Sequence, residues 1–518
     1  MNRKGNEIIL AGTLLGNAAA AVPGRLAVID PQKSLDYGAL DRSADAVARA
    51  LVRHGVAKGD RIAVLARNGV DFARLFFGAA RAGAVLVTLS ARNSAAEIHE
   101  IVERTRARLL FHDDALDDGL DLAVPAVRFG EDFDRFAQTG GPEGAPRAVR
   151  PDDPLCITFT GGTTGAPRGV LVSHRSRCAV AAGVAAAFGF SGRDIVCVST
   201  PMAHVAGLLV CFVPAMAVKA SCVLQPRWSA GLFFDLVERH AVTASLMVPT
   251  QLYDILAHEE FAARRLGSLQ RIVYAGAPMP AALLARLMDQ LPWIEFIENY
   301  GQSELGAVTV RRGADLPAKA GSIGRAIDGV DIAVLGADGN TVADGQPGEL
   351  CCRGVNLLLG YDRDPAATAA LRKYGPDWLA TGDVAVRDRD GFYTLIDRIR
   401  DIVISGGENI YPSEVESVLR DHPAVADCAV FGVPDARLGE VPVAHVILAE
   451  GGSVSAAGLI AHCAAGLARH KTPRSIRIVT GLPRTAIGKV RKNRLRDEYP
   501  SGLTMEPGKG VKGSRERA

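Results

Sequence analysis

The alternation of short apolar runs with helical stretches constrains this chain more than any other feature. Between Arg61 and His112 it reads as the apolar run Ile62–Leu65, a helical stretch Phe72–Ala82, the run Val85–Leu89, a helical stretch Ala95–Arg104, and Leu109–Phe111. Strand, helix and strand in this order predict parallel βαβ units. The pattern returns as Ile195–Ser199, a helix from about Ala206, Cys222–Leu224, a helix over Leu232–His240, Ala244–Val248 and Ile272–Tyr274. Two such α/β layers fill roughly the first 300 residues. From Ile323 to Tyr393 short strands are punctuated by the turn dipeptides Asp338-Gly339, Pro347-Gly348 and Asp390-Gly391, which predicts a small β-rich subdomain over about 323–395. A compact α+β pattern follows, with helix Ser413–Arg420, strands Ala426–Gly432 and Val443–Leu448, helix Ala456–Ala468 and strand Ile476–Val479. The expected organisation is α/β: a large N-terminal domain over 1–400, a mobile α+β C-terminal domain over 401–505, and a flexible Gly-rich, basic tail over 506–518.

Composition excludes several classes. The 518 residues carry 59 Lys plus Arg against 57 Asp plus Glu, a formal charge of +2, which argues against an electrostatic nucleic-acid binder. A chain this long buries enough surface to fold without staples. Its nine cysteines are odd in number and irregularly spaced, with one adjacent pair, Cys351 and Cys352, so neither a disulfide framework nor a zinc site is indicated. A reducing compartment, and hence a cytoplasmic location, is expected. Two segments imitate membrane signals. The run Ile8–Val22 after Arg3 and Lys4 resembles a signal peptide, but Glu7 and Asn17 spoil the pattern. The uncharged stretch Ile195–Val218 is long enough to span a bilayer, but Pro201, His204 and Pro214 interrupt it, and it reads as a buried strand, a turn and a core helix. No membrane span is expected, and the sequence leaves the oligomeric state open.

The most informative segment is Ile157-Thr-Phe-Thr-Gly-Gly-Thr-Thr-Gly-Ala-Pro-Arg-Gly-Val170, a hydroxyl- and glycine-rich loop after an apolar strand. Glycines let backbone N–H groups wrap an anion, Thr160, Thr163 and Thr164 add hydroxyls, and Arg168 adds fixed positive charge, so the loop suits phosphate. It is not a Walker loop, because Pro167-Arg168-Gly169 leads into another apolar run instead of a helix. A plain Gly/Thr hairpin is the other reading of this segment alone.

The loop resembles the signature of the adenylate-forming enzymes: AMP-forming acyl-CoA synthetases, luciferases and peptide-synthetase adenylation domains. The resemblance extends in order through Pro201-Met-Ala-His204, Tyr274-Ala-Gly-Ala-Pro278, Asn299-Tyr-Gly-Gln-Ser-Glu304, Thr381-Gly-Asp383, Asp397-Arg-Ile-Arg-Asp401, Gly406-Gly-Glu-Asn-Ile-Tyr-Pro412 and Pro483-Arg-Thr-Ala-Ile-Gly-Lys489. It implies that Thr160, Gly162, Thr163, Thr164, Gly165 and Arg168 hold the phosphates. Gly276, Ala277 and Pro278 lie along the adenine, with Tyr300, Gly301 and Ser303 in the neighbouring nucleotide segment. Glu304 holds Mg²⁺ against ATP together with Thr164, a hard oxygen set that suits the ion. Asp383 accepts from the ribose hydroxyls, with Arg398 beside it. Lys489 reaches the carboxylate and the α-phosphate during adenylation, where a cation offsets the repulsion of two anions. His204 matches the gate beside the acyl carboxylate. Arg400 matches a hinge, and the Gly406, Gly407 and Glu408 loop replaces Lys489 after the C-terminal domain rotates. Taken alone, Glu304 would be a surface loop residue, Arg398 a surface ion pair with Asp397 or Asp401, His204 a core histidine, and Lys489 one base in a solvated run.

The chain departs from the family pattern at Gly161, usually serine, at Arg168, usually lysine, at Ser303, usually threonine, and at Asp397, where glycine is common. Arg168 keeps the charge with a planar fork and weaker hydration. The implied reaction joins a carboxylic acid to a thiol in two halves, through an acyl adenylate and pyrophosphate and then a thioester and AMP, with ATP and coenzyme A as substrates. Pro201-Met-Ala-His-Val-Ala-Gly207 lacks the Asp that anchors an amino group in peptide-synthetase domains. The expected pocket stretches His204–Val218 and Ala244–Leu252 carry no Lys or Arg, which leaves a second carboxylate unpaired. The expected substrate is therefore an apolar monocarboxylic acid, medium-chain fatty or aromatic. A ligase that loads a carrier protein and an inactive nucleotide-binding module are the alternatives.

Overall fold

The computed structural model describes residues 10–113, 123–141, 148–160, 168–261, 263–316, 318–484 and 490–499. They form two compact units, one running to Leu395 and the other from Ile396 onward, which also takes in Gly382–Val384.

The larger unit is built on two predominantly parallel sheets. The first has seven strands in the order Gly360–Tyr361, Arg168–Ser173, Pro154–Thr160, Val85–Leu89, Arg61–Leu65, Leu110–His112 and Ala126–Arg128. The second has nine, in the order Arg325–Ala326, Gly306–Arg311, Glu295–Gln302, Arg271–Ala275, Ala244–Met247, Ile195–Val198, Ser221–Leu224, Leu26–Ile29 and Ser34–Asp36. The strands read as continuous apolar runs because both faces of each sheet are covered. Ile62, Val64, Leu86, Val196, Val198, Leu224 and Leu246 belong to a central cluster shared with the helices Tyr37–Arg53, Val70–Ala82 and His174–Ala187. On the opposite faces Ala63, Leu65 and Val87 pack with the helix Ala95–Thr105, and Cys197, Val223 and Met247 pack with the helix Ala230–His240.

The run that imitates a signal peptide is the helix Ala11–Ala21, with Ala11, Leu14, Leu15, Ala18 and Ala19 buried. Leu15 is fully buried, and truncating it to alanine costs about 3 kcal/mol by the usual range for such sites. The second long apolar stretch resolves into the strand Ile195–Val198, a turn, and a helical segment whose first part, Ala206–Phe212, is a π-helix and whose second, Val213–Ala217, is α. Pro214 has no N–H to give an α-type bond to the preceding turn, which favours the wider register before it. Among the described residues no helix is long and apolar enough to cross a membrane. All nine cysteines are buried and free.

The β-rich segment forms a four-stranded sheet, Val330–Leu335, Gly348–Gly354, Leu379–Arg387 and Tyr393–Arg398. Two of its pieces go elsewhere. Arg325–Ala326 extends the nine-stranded sheet, and Gly360–Tyr361 covers the otherwise open edge of Arg168–Ser173 in the other. In the smaller unit, the long hairpin Val425–Asp435 and Gly439–Leu448 is backed by the helices Pro412–Arg420 and Ala456–Gly466, and Ser475–Ile478 pairs parallel with its second strand. Neither the opening hairpin of this unit, Val403–Ser405 with Glu408–Ile410, nor its last helix, Lys492–Asp497, is legible as an apolar run.

Candidate active site

The strand Glu295–Gln302 pairs parallel with Arg271–Ala275 on one side and antiparallel with Gly306–Arg311 on the other. Ser303, Glu304 and Leu305 therefore turn over at the carboxyl end of the parallel strands, the edge where open α/β sheets bind ligands. The return is tight: a Cβ at Gly301 would lie 1.9 Å from the Gly306 carbonyl oxygen, so glycine is required. Tyr300, Gly301 and Ser303 are half-buried beside it. The Glu304 carboxylate is also half-buried, and its Oε1 accepts from the Tyr361 hydroxyl at 2.7 Å. Burial, reinforced by the Glu304 charge, pushes the Tyr361 phenol up, so it remains the donor. Oε2 of Glu304 has no hydrogen-bond partner among the described residues and is a hard oxygen donor of the kind that fits Mg²⁺.

Behind Glu304 stands a group that sequence reading missed. Arg177, 2% exposed, donates to the carbonyls of Asn356 at 2.6 Å and Ser303 at 2.9 Å, while Asn356 donates to the Leu305 carbonyl at 3.0 Å. The peptide carbonyls on both sides of Glu304 are thus held from within. Burial pushes the Arg177 guanidinium down to about 10, still protonated at neutral pH. A signal was present in the sequence: Arg177 lies near the N-terminus of the helix His174–Ala187, where the helix dipole disfavours a cation.

The strands Pro154–Thr160 and Arg168–Ser173 form an antiparallel hairpin with Thr160 opposite Arg168, so residues 161–167 are its connection. The hairpin reading and the phosphate-loop reading are therefore compatible. Gly162, Thr163, Thr164 and Gly165, the side chain of Thr160, and Lys489 lie outside the described residues. Arg168 is half-exposed, with its guanidinium carbon 5.4 Å from the Tyr361 ring centroid and its Nε 3.9 Å from Asp364 Oδ2.

Gly276 ends the strand Arg271–Ala275 with φ +85°, which places Ala277 and Pro278 in an exposed turn. His204 sits in the turn before the π-helix. That turn is pinned by Asn68, which accepts from the Met202 N–H at 2.6 Å and donates to the Val198 and Thr200 carbonyls, and by Thr88, which donates to the Ala203 carbonyl at 2.7 Å. A Cβ at Gly207 would stand 2.3 Å from the Pro201 carbonyl oxygen, so the helix starts directly against the turn. Burial, with a smaller contribution from Arg92, pushes the His204 imidazole down, so it is neutral at neutral pH. From Gly207 to Met216 every residue is buried.

Asp383 is 4% exposed and pairs with Arg398 at 3.0 Å. Asp397 instead accepts from the backbone N–H groups of Arg398 and Ser413, at 2.7 and 2.8 Å. The ion pair of Arg398 is therefore with Asp383 and not, as the isolated reading had it, with Asp397 or Asp401. Arg400 is exposed in a short 3₁₀ turn, Ile399–Asp401. Gly406 and Gly407, with φ +60° and +88°, are the two central residues of a tight hairpin turn in which Ser405 faces Glu408. Two successive positive φ values define the turn type whose twist matches paired strands, and glycine takes them without cost. Gly406, Gly407 and Glu408 are exposed.

Residues 15–362 match the AMP-binding enzyme family and residues 414–489 match the AMP-binding enzyme C-terminal domain. The chain belongs to this family of AMP-binding enzymes. It is 33% identical over 485 residues to a feruloyl-CoA synthase of an Amycolatopsis species, covering 92% of this chain and 96% of that one. It is 32% identical over 507 residues to the long-chain-fatty-acid–CoA ligase FadD13 of Mycobacterium tuberculosis, covering 94% and 98%. Among solved structures, ATP-bound MatB from Rhodopseudomonas palustris superposes with a TM-score of 0.85 at 26% identity, over 95% of this chain and 99% of that one.

Proposed function

We propose that this AMP-forming acid–CoA ligase acts on an apolar monocarboxylic acid, medium-chain fatty or aromatic. The observation that carries the reading is the uncharged, wholly buried segment Gly207–Met216 directly after His204. A second carboxylate placed against it would be desolvated without a partner. The neutral His204 brings hydrogen-bonding capacity to that end of the segment without charge. Relatives named for feruloyl-CoA and for long-chain fatty acids bracket the same range of acids.

In the first half-reaction the acid's carboxylate attacks the α-phosphorus of ATP and pyrophosphate leaves. In the second, the thiol of coenzyme A attacks the activated carbonyl and AMP leaves. Glu304, with Thr164, would hold Mg²⁺, which supplies charge neutralisation at the phosphates. Thr160, Gly162, Thr163, Gly165 and Arg168 would hold the phosphates, Gly276, Ala277 and Pro278 would lie along the adenine with Tyr300, Gly301 and Ser303 beside them, and Asp383 with Arg398 would take the ribose. Lys489 offsets the charge between carboxylate and α-phosphate. Arg400 is the hinge about which the domain beginning near residue 401 turns, bringing Gly406, Gly407 and Glu408 in for the thiol step.

The test is thioester formation across octanoate, benzoate, a cinnamate and malonate, each with Mg·ATP and coenzyme A. Turnover with the apolar acids well above malonate is expected. Preference for malonate would overturn the pocket argument, and pyrophosphate release without a CoA thioester would shift the acceptor to a carrier protein.

A further inference from the structure

Tyr361 touches both charged groups that the adenylation reading assigns to the metal and the phosphates. Its hydroxyl donates to Glu304 Oε1 at 2.7 Å, and the Arg168 guanidinium packs over its ring with the carbon 5.4 Å from the centroid. The tyrosine itself is fixed from its own backbone. Gly360-Tyr361 forms a two-residue strand against Val170 and Leu171, the Tyr361 N–H donates to Thr368 Oγ1 at 2.9 Å, and Asp364, which lies 3.9 Å from Arg168 Nε, caps the helix Pro365–Ala370 that follows. The residue is 8% exposed, so its position is set by packing and not by solvent.

The residue types fit this arrangement. A guanidinium is planar and stacks on an aromatic face, which an ammonium does with less contact, and this chain has arginine at 168. A phenol is a donor with a rigid ring, so one side chain fixes a carboxylate at its tip and a cation at its face.

We propose that Tyr361 is a positioning residue that holds the Glu304 carboxylate and the Arg168 guanidinium in register, so that Mg²⁺ and the ATP phosphates are gripped by one unit. The proposal rests on the assignment of Glu304 to Mg²⁺, and the two are separable. Tyr361→Phe keeps the ring and removes only the donor; Glu304→Gln removes the carboxylate charge. Equilibrium binding of ATP is measured by calorimetry with and without Mg²⁺ for the wild type, each single variant and the double variant, alongside thermal unfolding. Tyr361→Phe is expected to weaken Mg·ATP about tenfold, the usual worth of a hydrogen bond to a charged group, and to leave the conversion of preformed acyl adenylate to thioester unchanged. In the Glu304→Gln background the same substitution is expected to cost less than about twofold, because its effect passes through Glu304.

Independent, multiplying losses in the double variant would overturn the positioning role while leaving the Mg²⁺ assignment standing. An unaltered Mg²⁺ dependence in Glu304→Gln would instead overturn that assignment. If Tyr361→Phe does not fold, Arg168→Lys approaches the same link from the other side. It is expected to weaken Mg·ATP binding about threefold when Tyr361 is present. Binding of Mg·ATP by Arg168→Lys as tight as by the wild type would then count against the link.

Discussion

The two large sheets each abandon parallel pairing at the strand that carries a site segment, and they do so differently. In the seven-stranded sheet the hairpin of Pro154–Thr160 and Arg168–Ser173 is joined by the seven residues 161–167. In the nine-stranded sheet the hairpin of Glu295–Gln302 and Gly306–Arg311 is joined by three residues, with Gly301 admitting a close return and one carboxylate at the tip. A long connection offers many weak donors, and a short one offers a single charge at a fixed point. The anchors are also unevenly shared. Arg177 and Tyr361, which hold the Glu304 turn, and Asn68 and Thr88, which hold the turn before His204, all come from strands, loops or helices of the seven-stranded layer. Elements of the seven-stranded layer thus hold turns at the edge of the other sheet, and Asn356 from the β-rich segment adds its bond to the Leu305 carbonyl.

The strongest way to break this contrast is Glu304→Gln. Removing the only charge at the short turn is expected to lower adenylation by about 100-fold to 1,000-fold, the range seen when one preorganised charge-stabilising group is lost. Pyrophosphate release under saturating acid would measure it, and a loss below tenfold would mean that the short turn is not the metal side of the site.

The helix that carries Arg177 makes a pH-dependent contribution. His174, its first residue, accepts from the Ala11 N–H at 3.3 Å and is pushed down to about 4, by burial first, from an ordinary value near 6.5. The unfolded chain therefore binds a proton that the native chain refuses between those values. Stability is unaffected above pH 6.5 and falls as pH drops through 6.5 toward 4, by about 3 kcal/mol in full. Denaturation midpoints of His174→Asn across that window should lose most of this dependence, and an unchanged slope would refute it.

Arg177→Met tests the anchor itself. Two buried carbonyls lose their donor while the cost of burying a charge is returned, and a net loss of about 2 kcal/mol is expected, together with weaker Mg·ATP binding. Full stability with unaltered nucleotide affinity would show that the Glu304 turn stands without it. Arg168→Lys is the mildest probe. Charge is kept and contact with the Tyr361 ring is reduced, so the KM for ATP should rise by about threefold and by less than about fivefold, with the KM for the acid unmoved.

Legibility in the sequence followed the same division. Strands buried on both faces announce themselves as continuous apolar runs, which is why Arg61–Leu65, Val85–Leu89 and Ala244–Met247 lie within a residue of their expected limits. The hairpin Val403–Ser405 with Glu408–Ile410 was not legible, because Ile404 is exposed and only two glycines mark its turn. Motif residues could be read because several short patterns occur in order. Tyr361 could not, since its role depends on a two-residue strand that crosses to the edge of another sheet, and no local pattern encodes that pairing. From sequence the segment after His204 reads as an ordinary core helix, whereas Ala206–Phe212 is a π-helix. Pro214 was the visible hint, but the close approach of Gly207 to the Pro201 carbonyl arises from the turn and only appears in three dimensions.

The most direct measurement is ATP–pyrophosphate exchange without coenzyme A, in the presence of an apolar acid, for the wild type and Glu304→Gln. Acid-dependent exchange in the wild type and its near-complete loss in the variant are expected. Exchange that persists in Glu304→Gln, or no exchange with any acid in the wild type, would contradict the assignment of these two hairpins to the adenylation site.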